Sequence, residues 1–148
     1  FDATLTPRRP GTATGPLLGG NLAVLSRLLG TPYEPDFSGA VLVLEEVQEA
    51  PYRVDRMLSH LEHTGVLGAV AGVVLGTFST GPLDAEKPTL SLTEVFQDYF
   101  GDRSYPVVGG LPYGHHLPRC SLPLGVPVRL RATSSEATIT AQGPLVQR

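Results

Sequence analysis

Apolar positions along this chain fall into two kinds of run, and each kind predicts an element. Three stretches repeat their apolar residues at helical spacing. In "GGNLAVLSRLLGT", Leu22, Leu25 and Leu29 share a face, Asn21 is placed to cap the start and Gly30 to stop the end. In "APYRVDRMLSHLEHTG", Val54, Met57, Leu58 and Leu61 line one helical face and Gly65 closes the run. Pro51 suits the first turn of that helix, where its missing N–H is harmless. In "SLTEVFQDYFGD", Ser91 and Glu94 have capping-box spacing ahead of a stripe of Leu92, Val95, Phe96, Tyr99 and Phe100.

The other runs are short, rich in Val and bounded by Gly. "GAVLVLEE" and "GAVAGVVLG" are apolar throughout, as strands covered on both faces are. "VPVRLRA" alternates strictly, and "EATITA" answers it across a "TSS" turn, which predicts a hairpin with one solvated face. The opening, residues 1–18, shows weak strand character over Ala3–Thr6 and then "PRRPGTATGP", which reads as a lead-in segment or interdomain linker. That leaves residues 19–148 as one domain. Helices and strands alternate in its middle and antiparallel strands close it, so the fold class is α/β, with a mixed sheet and about three helices.

Composition narrows the function more than the fold. A chain of 148 residues supports a single hydrophobic core. With 11 basic and 14 acidic residues, a net charge of −3 and no basic stripe, it does not read as a nucleic-acid binder. The single cysteine, Cys120, excludes an intrachain disulfide and fits a reducing compartment. "VLGAVAGVVLGTF" is too short and too Gly-rich for a membrane span, and no secretory signal opens the chain. The chain begins at Phe1 rather than Met and so reads as a piece of something longer.

Candidate chemistry is sparse. None of the serines lies in a Gly-x-Ser-x-Gly elbow. Ser79 in "GTFSTG" follows a strand but leads into Pro82 rather than a helix, a weak setting for a nucleophile; Cys120 is as weak and suits a small packed residue. His60 and His63 share a helical face with Asp55, Arg56, Ser59 and Glu62, which reads as solvated rather than metal-binding. Arg53, one turn after Glu49, suits a surface ion pair better than a substrate carboxylate. His115 and His116, adjacent in "VGGLPYGHHLP", would point apart if extended and make poor ligands for one ion. No metal or cofactor is expected. Glu45 and Glu46 end the "AVLVL" strand, where α/β domains place functional groups and where a buried acid needs a partner. The plainer reading is that the chain turns polar as it leaves the sheet, and that His115 is a solvated loop histidine. These residues alone support an α/β domain with hydrolytic chemistry left open.

Five stretches together resemble the C-terminal domain of the LD-carboxypeptidase family of serine peptidases. They are "GPLLGGNLAVLSRLLGTPY", "VLVLEEVQEAPYRVDRMLSHLEHTGVL", "VVLGTFS", "YPVVGGLPYGHHLPRCSLPLGVPVRL" and "ATITAQG", in the family's order and covering most of Gly15–Gly143. The "LEE-x-x-E-x-PYR-x-DRML" and "G-x-PYGH" runs are the specific ones. The resemblance implies the family's swivelling β/β/α domain, here without the N-terminal domain that carries the nucleophilic serine. It implies that Glu45, the first acid after "LVL", and His115, the first histidine after "PYG", complete a Ser-His-Glu triad, with His116 a bystander. The implied activity is cytoplasmic hydrolysis of the amide to the terminal D-Ala of murein tetrapeptide, during cell-wall recycling. The implied partners are the chain's own N-terminal domain and the murein peptide, with a homodimer left open and no membrane. Some members instead cleave peptidyl-nucleotide toxins and confer self-immunity, and a non-catalytic binding domain on the same scaffold is the remaining alternative.

Overall fold

The computed structural model describes residues 5–81 and 90–143. Strand β1 (Thr6–Arg9) leads into the long β2 (Gly11–Asn21), followed by helix α1 (Leu22–Ser26), β3 (Val41–Glu46), α2 (Pro51–His63), α3 (Val66–Ala69) and β4 (Gly72–Phe78). Helix α4 (Leu92–Phe100), β5 (Val107–Gly109) and the hairpin β6 (Pro127–Ala132) and β7 (Ala137–Ala141) complete the chain.

The strands form one seven-stranded mixed sheet in the order β1-β5-β4-β3-β2-β6-β7. Strands β2, β3, β4 and β5 run parallel, whereas β1 on β5, β6 on β2 and β7 on β6 are antiparallel. Strand β2 is the pivot: its first half, Gly11–Pro16, pairs with β6, and its second half, Leu17–Asn21, pairs with β3 in a register that sets Asn21 beside Glu45.

Successive residues of a strand face opposite sides, and here each side has its own core. Leu42 and Leu44 of β3, with Val73 and Leu75 of β4, pack under the helices against Leu22, Val54, Leu58, Leu61, Val95 and Phe100. Val41, Val43 and Val74 face the other way, against Leu17, Val128 and Leu130. A strand buried on both faces has no polar positions to alternate, which is why β3 reads as an unbroken apolar run.

The expected helices stand in place, with three differences. The first is cut to Leu22–Ser26, although Asn21 caps it as expected, its Oδ1 accepting from Val24 N at 3.1 Å. A fourth helix, α3, takes the start of the "GAVAGVVLG" run, so that strand begins only at Gly72. The short β5, within "YPVVGG", was not foreseen. Of the strand expected over Ala3–Thr6, Leu5 and Thr6 are described, and only Thr6 is in a strand, where it opens β1.

The larger correction concerns the presumed lead-in, whose "PRRPGTATGP" forms most of β1 and the first half of β2. The glycines of β2 serve close backbone approach: a Cβ at Gly15 would fall 2.0 Å from Gly39 O, and one at Gly19 (φ +129°) 2.0 Å from Val43 O of the neighbouring strand. Gly and Pro usually mark loops, and here they disguise a central strand.

Candidate active site

Glu45 and Glu46, at the end of β3, are both 3 % exposed. They are consecutive in a strand, so their side chains diverge. Glu46 turns to the corner between β2 and α1. Its Oε1 accepts from Asn21 Nδ2 and Val47 N, each at 2.9 Å, and its Oε2 accepts from Ala23 N at 2.7 Å. Two of the three donors are backbone amides, one of them in the first turn of α1, where a carboxylate is favoured.

Glu45 turns instead toward the long connection from β5 to β6. Its Oε2 lies 3.0 Å from His115 Nδ1, 70 positions away in sequence. The strands bring the two together. Leu111 N donates to Leu75 O at 3.4 Å and Thr77 N to Tyr113 O at 2.8 Å, so the connection runs against the end of β4, beside β3. Gly114 then adopts φ +134°, and a Cβ there would lie 2.7 Å from Glu45 Oε2. Glycine at this position lets the backbone close on the carboxylate. Tyr113 senses the same site: burial, and then the charge of Glu45, push its phenol above the ordinary value.

The resulting pair is asymmetric. The carboxylate is buried, while the imidazole is 56 % exposed. With Nδ1 held by the acid, Nε2 is the nitrogen left for a reacting group, the arrangement by which a carboxylate orients a histidine for general base work. His116 goes elsewhere: its Nε2 lies 2.8 Å from Ser79 Oγ. The adjacent histidines thus grip the ends of two neighbouring strands, β3 and β4.

The remaining candidates are kept apart from this site. His60 and His63 are exposed on α2, with His63 Nδ1 2.7 Å from Ser59 O. Arg53 pairs with Glu49 at 3.2 Å. Cys120 packs beside the second core, and burial pushes its thiol up. Pro82, which follows the Ser79 loop, lies outside the described residues. Among the described residues, no group of three His, Cys, Asp or Glu could hold a metal ion, and no helix is long and apolar enough to cross a membrane. Sequence reasoning missed the Glu46 cap and the Ser79 contact. Strand alternation was the available signal for the first, since it forbids Glu45 and Glu46 a common partner.

Residues 14–130 match the family model described as the LD-carboxypeptidase C-terminal domain. The chain belongs to the LD-carboxypeptidase family. It is 38% identical over 138 residues to the probable murein peptide carboxypeptidase of Bacillus subtilis, covering 93% of this chain and 43% of that protein. The solved muramoyltetrapeptide carboxypeptidase of Oxalobacter formigenes superposes with a TM-score of 0.86 at 33% identity, covering 95% of this chain and 48% of that one. A more distant relative is the microcin C7 self-immunity protein MccF of Escherichia coli, 28% identical over 135 residues, which are 89% of this chain and 38% of that protein. This LD-carboxypeptidase domain therefore spans less than half the length of these relatives, and its mixed α/β fold is that of the solved Oxalobacter carboxypeptidase.

Proposed function

We propose that this chain is the triad-completing domain of a serine LD-carboxypeptidase that releases the terminal D-Ala of murein tetrapeptide in cytoplasmic cell-wall recycling. The observation that carries the reading is the bond from His115 Nδ1 to the buried Glu45 carboxylate, with the rest of the ring exposed. Ionised Glu45 accepts a hydrogen bond from Nδ1–H, keeps that proton on the ring and so fixes the tautomer. Nε2 takes the proton of a serine hydroxyl as that oxygen attacks the amide carbon, then returns it to the leaving amine. The serine and the oxyanion-binding amides come from the protein's other domain, so the chain alone is inactive. The murein substrate is supported by the names of the Bacillus and Oxalobacter proteins. The likeness to MccF supports a second reading, a peptidase acting on a peptidyl-nucleotide toxin.

The test uses full-length protein with murein tetrapeptide and D-Ala release as readout, beside a peptidyl-nucleotide substrate. We expect release from the tetrapeptide, and a loss of at least roughly 10³-fold in kcat for His115→Ala, the order found when a triad member is removed. Turnover of the nucleotide alone would favour the second reading. Undiminished turnover by His115→Ala would remove His115 as the base, and inertness toward both substrates would favour a binding domain.

A further inference from the structure

We propose that His116 is a positioning residue: its bond to Ser79 pins the loop that presents His115, and so sets how often His115 stands over Glu45. The inference rests on the reading of His115 as the base. It starts from how little else holds the loop. The connection between β5 and β6 is anchored by backbone bonds up to Tyr113 and again at Cys120, whose N–H donates to Pro112 O at 2.7 Å. Between them, among the described residues, Gly114–Arg119 make no backbone–backbone hydrogen bond. Their polar ties are the two histidine rings, one on Glu45 and one on Ser79.

Packing does not substitute for the missing bonds. Leu117 is 82 % exposed. Beneath the tip lies a cleft of about 390 Å³, lined by Thr77, Phe78, Leu111, Pro112 and Leu117 along with His116 itself. A segment with few buried contacts and few backbone bonds opens at low cost. If the tip lifts, His115 leaves with it, because Gly114 gives the backbone freedom to swing.

Ser79 is a firm anchor. Its N–H donates to Glu46 O at 3.0 Å, and its Oγ accepts from Gln48 N at 3.1 Å. Gln48 holds φ +58°, uncommon for a residue with a side chain, so this turn is fixed by its surroundings. With one lone pair engaged, Oγ still keeps a lone pair and its proton, and so bonds His116 Nε2 in either tautomer of the ring. The tie holds whichever nitrogen of His116 carries hydrogen.

The experiment compares His116→Ala, Ser79→Ala, the double variant and His116→Gln in the full-length protein, by steady-state kinetics on murein tetrapeptide and by amide exchange over residues 111–120. Each single alanine variant should lower kcat roughly 3- to 10-fold, the effect of losing one ordinary hydrogen bond, with KM nearly unchanged. Exchange at the tip should quicken. The double variant should be no worse than the poorer single one, since either change breaks the same tie. His116→Gln, whose amide nitrogen reaches where Nε2 does, should recover most of the loss. Wild-type kcat and unaltered exchange in His116→Ala would overturn the proposal, as would losses that multiply in the double variant. Retained activity in His115→Ala would instead count against the base assignment, and the exchange result would still report on the tie.

Discussion

The carboxylates of Glu45 and Glu46 are equally buried, and chemistry separates them. Glu46 has three donors, two of them backbone amides and the third the side-chain amide of Asn21, which also caps α1. Truncating Glu46 leaves those half-buried groups without their acceptor, and each unmet donor costs about 1 kcal/mol, the low end of the range because water partly reaches them. Glu46→Ala should therefore lower unfolding stability by about 3 kcal/mol in urea titrations. Stability within about 0.5 kcal/mol of wild type would mean that water replaces the carboxylate. Glu45 accepts from one titratable ring at the surface and caps no helix. From spacing alone an ordinary strand end and an ordinary loop explain Glu45 and His115 better than chemistry does. The family motif singled them out, and the sheet brings them within 3.0 Å. The Ser79 contact had no such signal, because a bond between a strand end and a loop tip depends on a fold that periodicity does not encode.

At the scale of elements, legibility followed length and the kind of residue used. Helices α2 and α4 were plain because each sustains a 3.6-residue stripe over more than two turns. Helix α3 and strand β5 have 4 and 3 residues, too few to display a period. Strand β2 was concealed by its glycines and prolines, which meet its neighbours through backbone. Tyr105 shows how the short elements are tied in: its hydroxyl, just before β5, donates to Leu67 O of α3 at 2.9 Å. Burial first of all pushes this phenol up to about 12, with Arg103 opposing and Glu62 adding. The unfolded phenol ionises near 10, so between about pH 10 and 12 the unfolded chain has lost a proton that the folded chain keeps. Stability from this group is full below pH 10 and falls as pH rises toward 12. Tyr105→Phe should cost about 1 kcal/mol at neutral pH and flatten the decline over that alkaline window. An unchanged slope in the variant would place the alkaline lability elsewhere.

At the scale of the whole molecule, the chain holds two half-assembled devices side by side. Glu45 and His115 form an acid and a base in contact, and the nearest serine contact in the loop, Ser79, belongs to His116. Ser79 and His116 form a hydroxyl and a base in contact, yet no carboxylate among the described residues is paired with His116. A serine becomes a strong nucleophile when its base is oriented by a third group, so only an incoming serine at His115 completes a set. A fluorophosphonate probe distinguishes the two devices, because it labels activated serines and leaves ordinary hydroxyls alone. Full-length protein should be labelled at a serine outside this chain, and His115→Ala should abolish that labelling. Ser79→Ala should leave the labelled site where it is, even if the rate drops as the loop loosens. The chain alone should take up no label. Modification of Ser79 itself would reverse the argument: the dyad without a carboxylate would be the working one, and Glu45 and His115 a structural pair.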